Sequence, residues 1–140
     1  MTFQQAVQTC FAKYAAFKGR AARSEFWYWQ LFLTLAGLIV AILDTSLSLH
    51  SKPFGLIYYL VTLLPTLAVG ARRLHDTGRS AWWLLLWLVP LIGWIVLLIW
   101  FCTKGSNGYN SFGPDPLPRE SADTRHRVRA QDVPPIRVII

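Results

Sequence analysis

Metal ligands and acids are scarce in this chain: seven Asp and Glu, three His and two Cys over 140 residues. None falls at metal-binding spacing, and two thiols make no disulfide framework, so a zinc centre and a stapled secreted module are both excluded. Cys10 and Cys102 are read as packing residues. Charge as a whole is thin, at 15% of residues against 54% hydrophobic, which is too apolar for an ordinary soluble or disordered domain. It is also segregated: residues 26–43, 54–71 and 81–101 contain no Asp, Glu, Lys or Arg.

Those uncharged stretches are what the sequence does have. As helices, 18 residues rise about 27 Å and 21 residues about 31 Å, close to the roughly 30 Å hydrocarbon core of a bilayer. The first begins only at Phe26 and outruns a signal-peptide core, so it is expected to remain as a span. The net charge of +7 then has a simple source in the cationic loops that orient membrane proteins, and no nucleic-acid partner is required.

Ahead of the spans, Thr2 and Gln5 form a capping box, and Phe3, Val7, Cys10, Phe11, Tyr14 and Phe17 recur at helical spacing. An amphipathic helix over residues 3–17 follows, either packed on the protein or lying in the headgroup plane. Gly19 ends it. Arg20, Arg23 and Glu25 stay in the polar zone before Trp27, Tyr28 and Trp29, with Glu25 expected to pair with a nearby arginine. Pro65 interrupts the second span, which predicts a kink and a freed carbonyl met by a neighbouring helix.

The third stretch carries Pro90 and Gly93 near its middle. It reads either as one kinked span or as a re-entrant hairpin, whose legs of about 13 and 18 Å are too short to cross; one span is the preferred reading. The fold class is therefore an all-α membrane protein: an N-terminal amphipathic helix and three transmembrane helices, the second and third proline-kinked. Residues 1–116 form the membrane domain and residues 117–140 a flexible polar tail. Four cations precede residue 26 and three follow residue 71, against Lys52 alone in the first loop. The N-terminus is thus expected in the cytoplasm, and three spans would leave the tail outside.

Three ordered motifs carry a resemblance. Residues 17–27 (FKGRAARSEFW) contain Gly19 and Glu25; residues 72–83 (RRLHDTGRSAWW) contain His75, Asp76, Trp82 and Trp83; residues 105–116 end on Gly113, Pro114, Asp115 and Pro116. In this order the chain resembles the YhaH-like family of bacterial inner-membrane proteins, over about residues 1–116. The resemblance implies a multi-pass inner-membrane location and no defined activity, since the family is itself one of unknown function. Ser111 stands where members often carry Arg.

The connector after the second span is the densest polar cluster. Arginine forks match phosphate geometry, so Arg20, Arg23, Arg72, Arg73 and Arg79 are the candidate lipid-phosphate ligands, with topological anchoring as the plainer reading. No nucleophile pair, metal spacing or phosphate-cradling loop is present. The expectation is a non-enzyme without cofactor or metal: a structural or interaction protein binding anionic lipid, a membrane-protein partner or a second copy of itself. The alternative is a small transport or permeation component.

Overall fold

The computed structural model describes residues 1–47 and 50–117, and its regular structure is helical. The elements are α1 (Phe3–Ala12), α2 (Arg23–Ser46), α3 (Pro53–Asp76), a 3-10 helix (Ala81–Leu88) and α4 (Ile92–Cys102). Residues 118–140, nearly all of the expected tail, lie outside the described residues.

The α2 and α3 helices, 24 residues each and so about 36 Å long, are long and apolar enough to cross a membrane. They run antiparallel, tied by Trp29 Nε1 to Thr66 Oγ1 at 3.1 Å and by Tyr58 Oη to the Leu33 carbonyl at 2.7 Å. Where they turn, Lys52 is left-handed and supplies no cap to α3. The buried Asp44 carboxylate of α2 fills that role, accepting from the Phe54 and Gly55 amides at 3.3 and 2.9 Å; an anion at a helix start satisfies otherwise open N–H groups and complements the dipole.

The capping box of α1 forms as expected, but the helix stops at Ala12, so Phe17 lies beyond it. It lies across α2 and α3: the Phe11 ring meets Trp29 and Phe32 edge-on at 5.2 and 5.8 Å. Small residues make the close approach, since Ala6 and Cys10 are fully buried while Phe3 and Phe11 keep part of their rings outward. The helix is thus packed on the protein, the first of the two arrangements that its pattern allows.

The third apolar stretch corrects the single-span reading. Pro90 lacks an amide and Leu91 takes φ 64 and ψ −72, closing a tight turn with Ile92 N–H on the Pro90 carbonyl at 2.9 Å. The chain folds back, and the 3-10 helix and α4 pack against each other as a hairpin. Trp83 meets Trp100 at its base and Trp87 meets Trp94 nearer its tip, while a side chain on Gly93 would collide with the Leu86 carbonyl. Because the hairpin returns to where it began, the segment after α4 lies beside Arg20 and the end of α3, at the same end of the molecule as the α1–α2 linker. The side expected for the tail rested on three spans, and residues 118–140 lie outside the described residues.

Candidate functional site: an arginine–carboxylate clamp

Three segments meet at that end, and their charges face inward. Residues 19–25 approach from the start of α2, residues 72–76 are the last turn of α3, and residues 101–113 run from the end of α4 into the loop after the hairpin. Arg72 and Arg73 have 0% of their surface exposed, and Arg20, Glu25 and Asp76 are buried as well. Such groups persist away from water only when paired and hydrogen-bonded.

Asp76 is the hub. One carboxylate oxygen takes Arg20 at 2.9 Å and the other takes Arg73 at 2.5 Å. Arg20 also donates to the carbonyls of Ser106, Gly108 and Gly113 at 2.5, 2.5 and 3.2 Å. One linker arginine thereby holds the whole post-hairpin loop. Arg73 donates to the Phe101 carbonyl at 3.2 Å, the Ala21 carbonyl at 3.4 Å and the Thr103 carbonyl. Arg72 pairs with Glu25 beside the Cys10 thiol; its buried Nε and Nη2 have no hydrogen-bond partner among the described residues.

The buried groups contain one more cation than anion, Arg20, Arg72 and Arg73 against Glu25 and Asp76. The C-terminus of α4 offsets this excess, because its last carbonyls are the negative end of the helix dipole and Arg73 and Arg23 both reach them. The loop then closes over the clamp. Ser106 N–H donates to the Asp76 carbonyl at 2.8 Å, and Asn110 Nδ2 to the His75 carbonyl at 2.9 Å. The Phe112 ring stacks on His75 with centroids 4.1 Å apart and planes 3° from parallel, and His75 Nδ1 lies 3.0 Å from the Gly19 carbonyl. Gly105 must be glycine, because a Cβ there would collide with the Asp76 carboxylate.

The motif residues are thus brought together: Gly19, Glu25, His75 and Asp76 lie in or against the clamp, and Gly113 supplies one of its carbonyls. Asp115 secures the loop by accepting from the Gly108 and Leu117 amides, with Pro114 and Pro116 on either side. Trp82 and Trp83 stand outside the clamp at the hairpin base, exposed. Of the five arginines read as a lipid collar, Arg20, Arg72 and Arg73 turn inward and serve as struts. Arg23 is exposed, and Arg79 lies partly open over the Trp100 ring, 4.5 Å from its centroid.

Ser106, Asn110 and Phe112 escaped the sequence reading. Their polar contacts depend on a fold-back that apolar periodicity alone does not select over a straight span, although the glycine at 105 before them marks a close backbone approach. Among the described residues no group of His, Cys, Asp and Glu could hold a metal ion.

Two helices long and apolar enough to cross a membrane, an apolar hairpin and an ionic clamp at one end are the marks of a small helical integral membrane protein. Residues 14–114 match the family described as protein of unknown function (DUF805), and the chain belongs to that family. It is 47% identical over 103 residues to the inner membrane protein YhaI of Escherichia coli K12, covering 74% of this chain and 87% of that one. It is 42% identical over 107 residues to the inner membrane protein YhaH of the same strain, covering 74% and 88%. The uncharacterized protein YiiR is 37% identical over 86 residues. No solved structure matches. The protein is an inner-membrane protein, as its motifs implied.

Proposed function

We propose that the protein is a non-catalytic organiser of the membrane that binds anionic phospholipid at its clamp end. The observation that supports this reading is how the acids of that end are used. Glu25 and Asp76 are engaged by buried arginines, and Asp115 by loop amides. The outer cations Lys13, Lys18, Arg23 and Lys104 are exposed and Arg79 is partly so, and the ion pairs among the described residues use none of them. Trp27, Trp82 and Trp83 are exposed beside them, where indoles settle at the headgroup level. The cationic end faces the cytoplasm, since the opposite loop offers Lys52 alone.

Near an anionic leaflet each such cation contributes about 1 kcal/mol. Replacing Arg23, Arg79 and Lys104 together by Gln should therefore weaken anionic-lipid retention on detergent extraction by about 3 kcal/mol, roughly a hundredfold. Retention equal to that of the unaltered chain at low and moderate salt would contradict the reading. The transport alternative has no comparable support: the buried acid at the far end, Asp44, is engaged in capping α3.

A further inference from the structure

Both legs of the hairpin begin and end at the clamp. Eight residues of 3-10 helix at about 2.0 Å and eleven of α-helix at about 1.5 Å each reach only about 16 Å. That is close to half of the roughly 30 Å hydrocarbon core. The side contacts agree: Leu84 rests on Gly70, and Leu84 and Trp87 line one groove with Leu63 and Leu67 of α3, so the tip comes level with the middle of α3. The α1 helix crosses in the same half, against Trp29 and Phe32. Among the described residues, the clamp half of the molecule therefore holds α1, both hairpin legs and the near parts of α2 and α3, whereas the far half holds α2 and α3 alone.

The hairpin is built for hydrocarbon. Leu85, Leu88, Leu91, Ile92, Ile95 and Leu98 are exposed around it, and no ionisable side chain other than Cys102 occurs from residue 81 to 102. Non-helical backbone is tolerated at membrane depth only where its polar groups are satisfied, and this bend meets much of that demand itself. The Val89, Ile92 and Gly93 amides donate to the Leu86, Pro90 and Val89 carbonyls at 3.0, 2.9 and 3.1 Å. Pro90 has no amide to satisfy, and the Trp94 indole donates to the Trp87 carbonyl at 3.1 Å.

We propose that α1 and the hairpin form a wedge confined to the leaflet at the clamp end, and that the protein sorts to membrane convex on that side. Material added to one leaflet expands it against the other, and the mismatch is relieved where the bilayer already curves toward the expanded leaflet. The inference does not rest on anionic-lipid binding, so its test uses a zwitterionic lipid with no net charge.

The full chain, carrying a fluorophore on its N-terminal amine, is reconstituted into phosphatidylcholine vesicles of about 30 nm and about 200 nm diameter, and an impermeant quencher reports which way it faces. The wedge predicts that the outward-to-inward ratio rises roughly threefold in the smaller vesicles; an equal ratio in both sizes overturns it. A second readout places the tip. A fluorophore on Leu91→Cys, in a Cys102→Ala background, should be quenched most strongly by lipids brominated near their chain ends. Labelling of that tip by an impermeant thiol reagent from the side opposite the N-terminus would show a crossing hairpin and also overturn the proposal.

Discussion

The Tyr14 hydroxyl donates a 2.5 Å hydrogen bond to the Val61 carbonyl, the acceptor that Pro65 leaves without its helical donor. A proline removes the amide that would bond four residues back, and α3 nonetheless continues unbroken through Pro65. The turn after α1 thus supplies the missing donor and fixes that turn against α3 through a polar contact in otherwise apolar surroundings.

Removing the hydroxyl while keeping the ring isolates this bond. Tyr14→Phe should lower stability in mixed micelles by about 1 kcal/mol, the scale of hydrogen bonds between membrane helices. In a Pro65→Ala background the helix supplies its own donor, so the same substitution should be nearly silent. An equal cost in both backgrounds would show that Tyr14 acts through its ring.

Arg20 is expected to be intolerant of a conservative change. Lysine keeps the charge but loses the planar fork that reaches Asp76 and three loop carbonyls together. Arg20→Lys should leave the hairpin in place and release residues 105–113, so limited proteolysis should cut near Tyr109 several-fold faster than in the unaltered chain. Asp76→Asn is harsher, because it leaves Arg20 and Arg73 buried without their shared anion, at about 3–5 kcal/mol. Unchanged cleavage in Arg20→Lys would contradict the assignment of this arginine as the tie of the loop.

Much of this architecture was legible in the residues themselves. Charge-free blocks gave α2 and α3 within a few positions, and Thr2 with Gln5 gave the start of α1, because local chemistry decides both. The helix end at Ala12 was not legible, nor was the hairpin. A continuous apolar run reads alike whether it crosses a membrane or doubles back within it, and a proline is compatible with either. The inward turn of Arg72 and Arg73 was hidden for a related reason: a cationic connector resembles an ordinary topological signal until Glu25, Asp76 and the α4 carbonyls are brought beside it.

The hairpin offers its own test in Gly93. The Leu86 carbonyl occupies the space a side chain would need, and rigid backbone cannot yield as a rotamer can. Gly93→Ala should destabilise the fold by about 1–3 kcal/mol, the range of overpacking, and should change the fluorescence of Trp87 and Trp94, which lie at either side of the bend. A variant as stable as the unaltered chain would show that the legs are less closely packed.

The Cys10 thiol is predicted to be inert. Burial, reinforced by Glu25 and opposed by Arg72, pushes its pKa from 9.0 up to about 12. The folded state therefore disfavours the thiolate, and the stability linked to this group is fully present below about pH 9 and lost as pH rises towards 12. At pH 8.5 a maleimide should modify exposed Cys102 and leave Cys10 unreacted until unfolding. Equal native labelling rates at the two positions would contradict the burial of Cys10.

The third apolar stretch turns back at Pro90 and ends beside Arg20, at the end of the molecule where it began. Single cysteines placed at Lys18, Lys52 and Tyr109, each in a chain lacking Cys102, report it through labelling by an impermeant thiol reagent in intact cells and in inverted membrane vesicles. Lys18→Cys and Tyr109→Cys should label from the same side and Lys52→Cys from the other. Tyr109→Cys labelling with Lys52→Cys instead would make residues 81–101 a true span and contradict the clamp, which requires Arg20 and the post-hairpin loop to meet on one face.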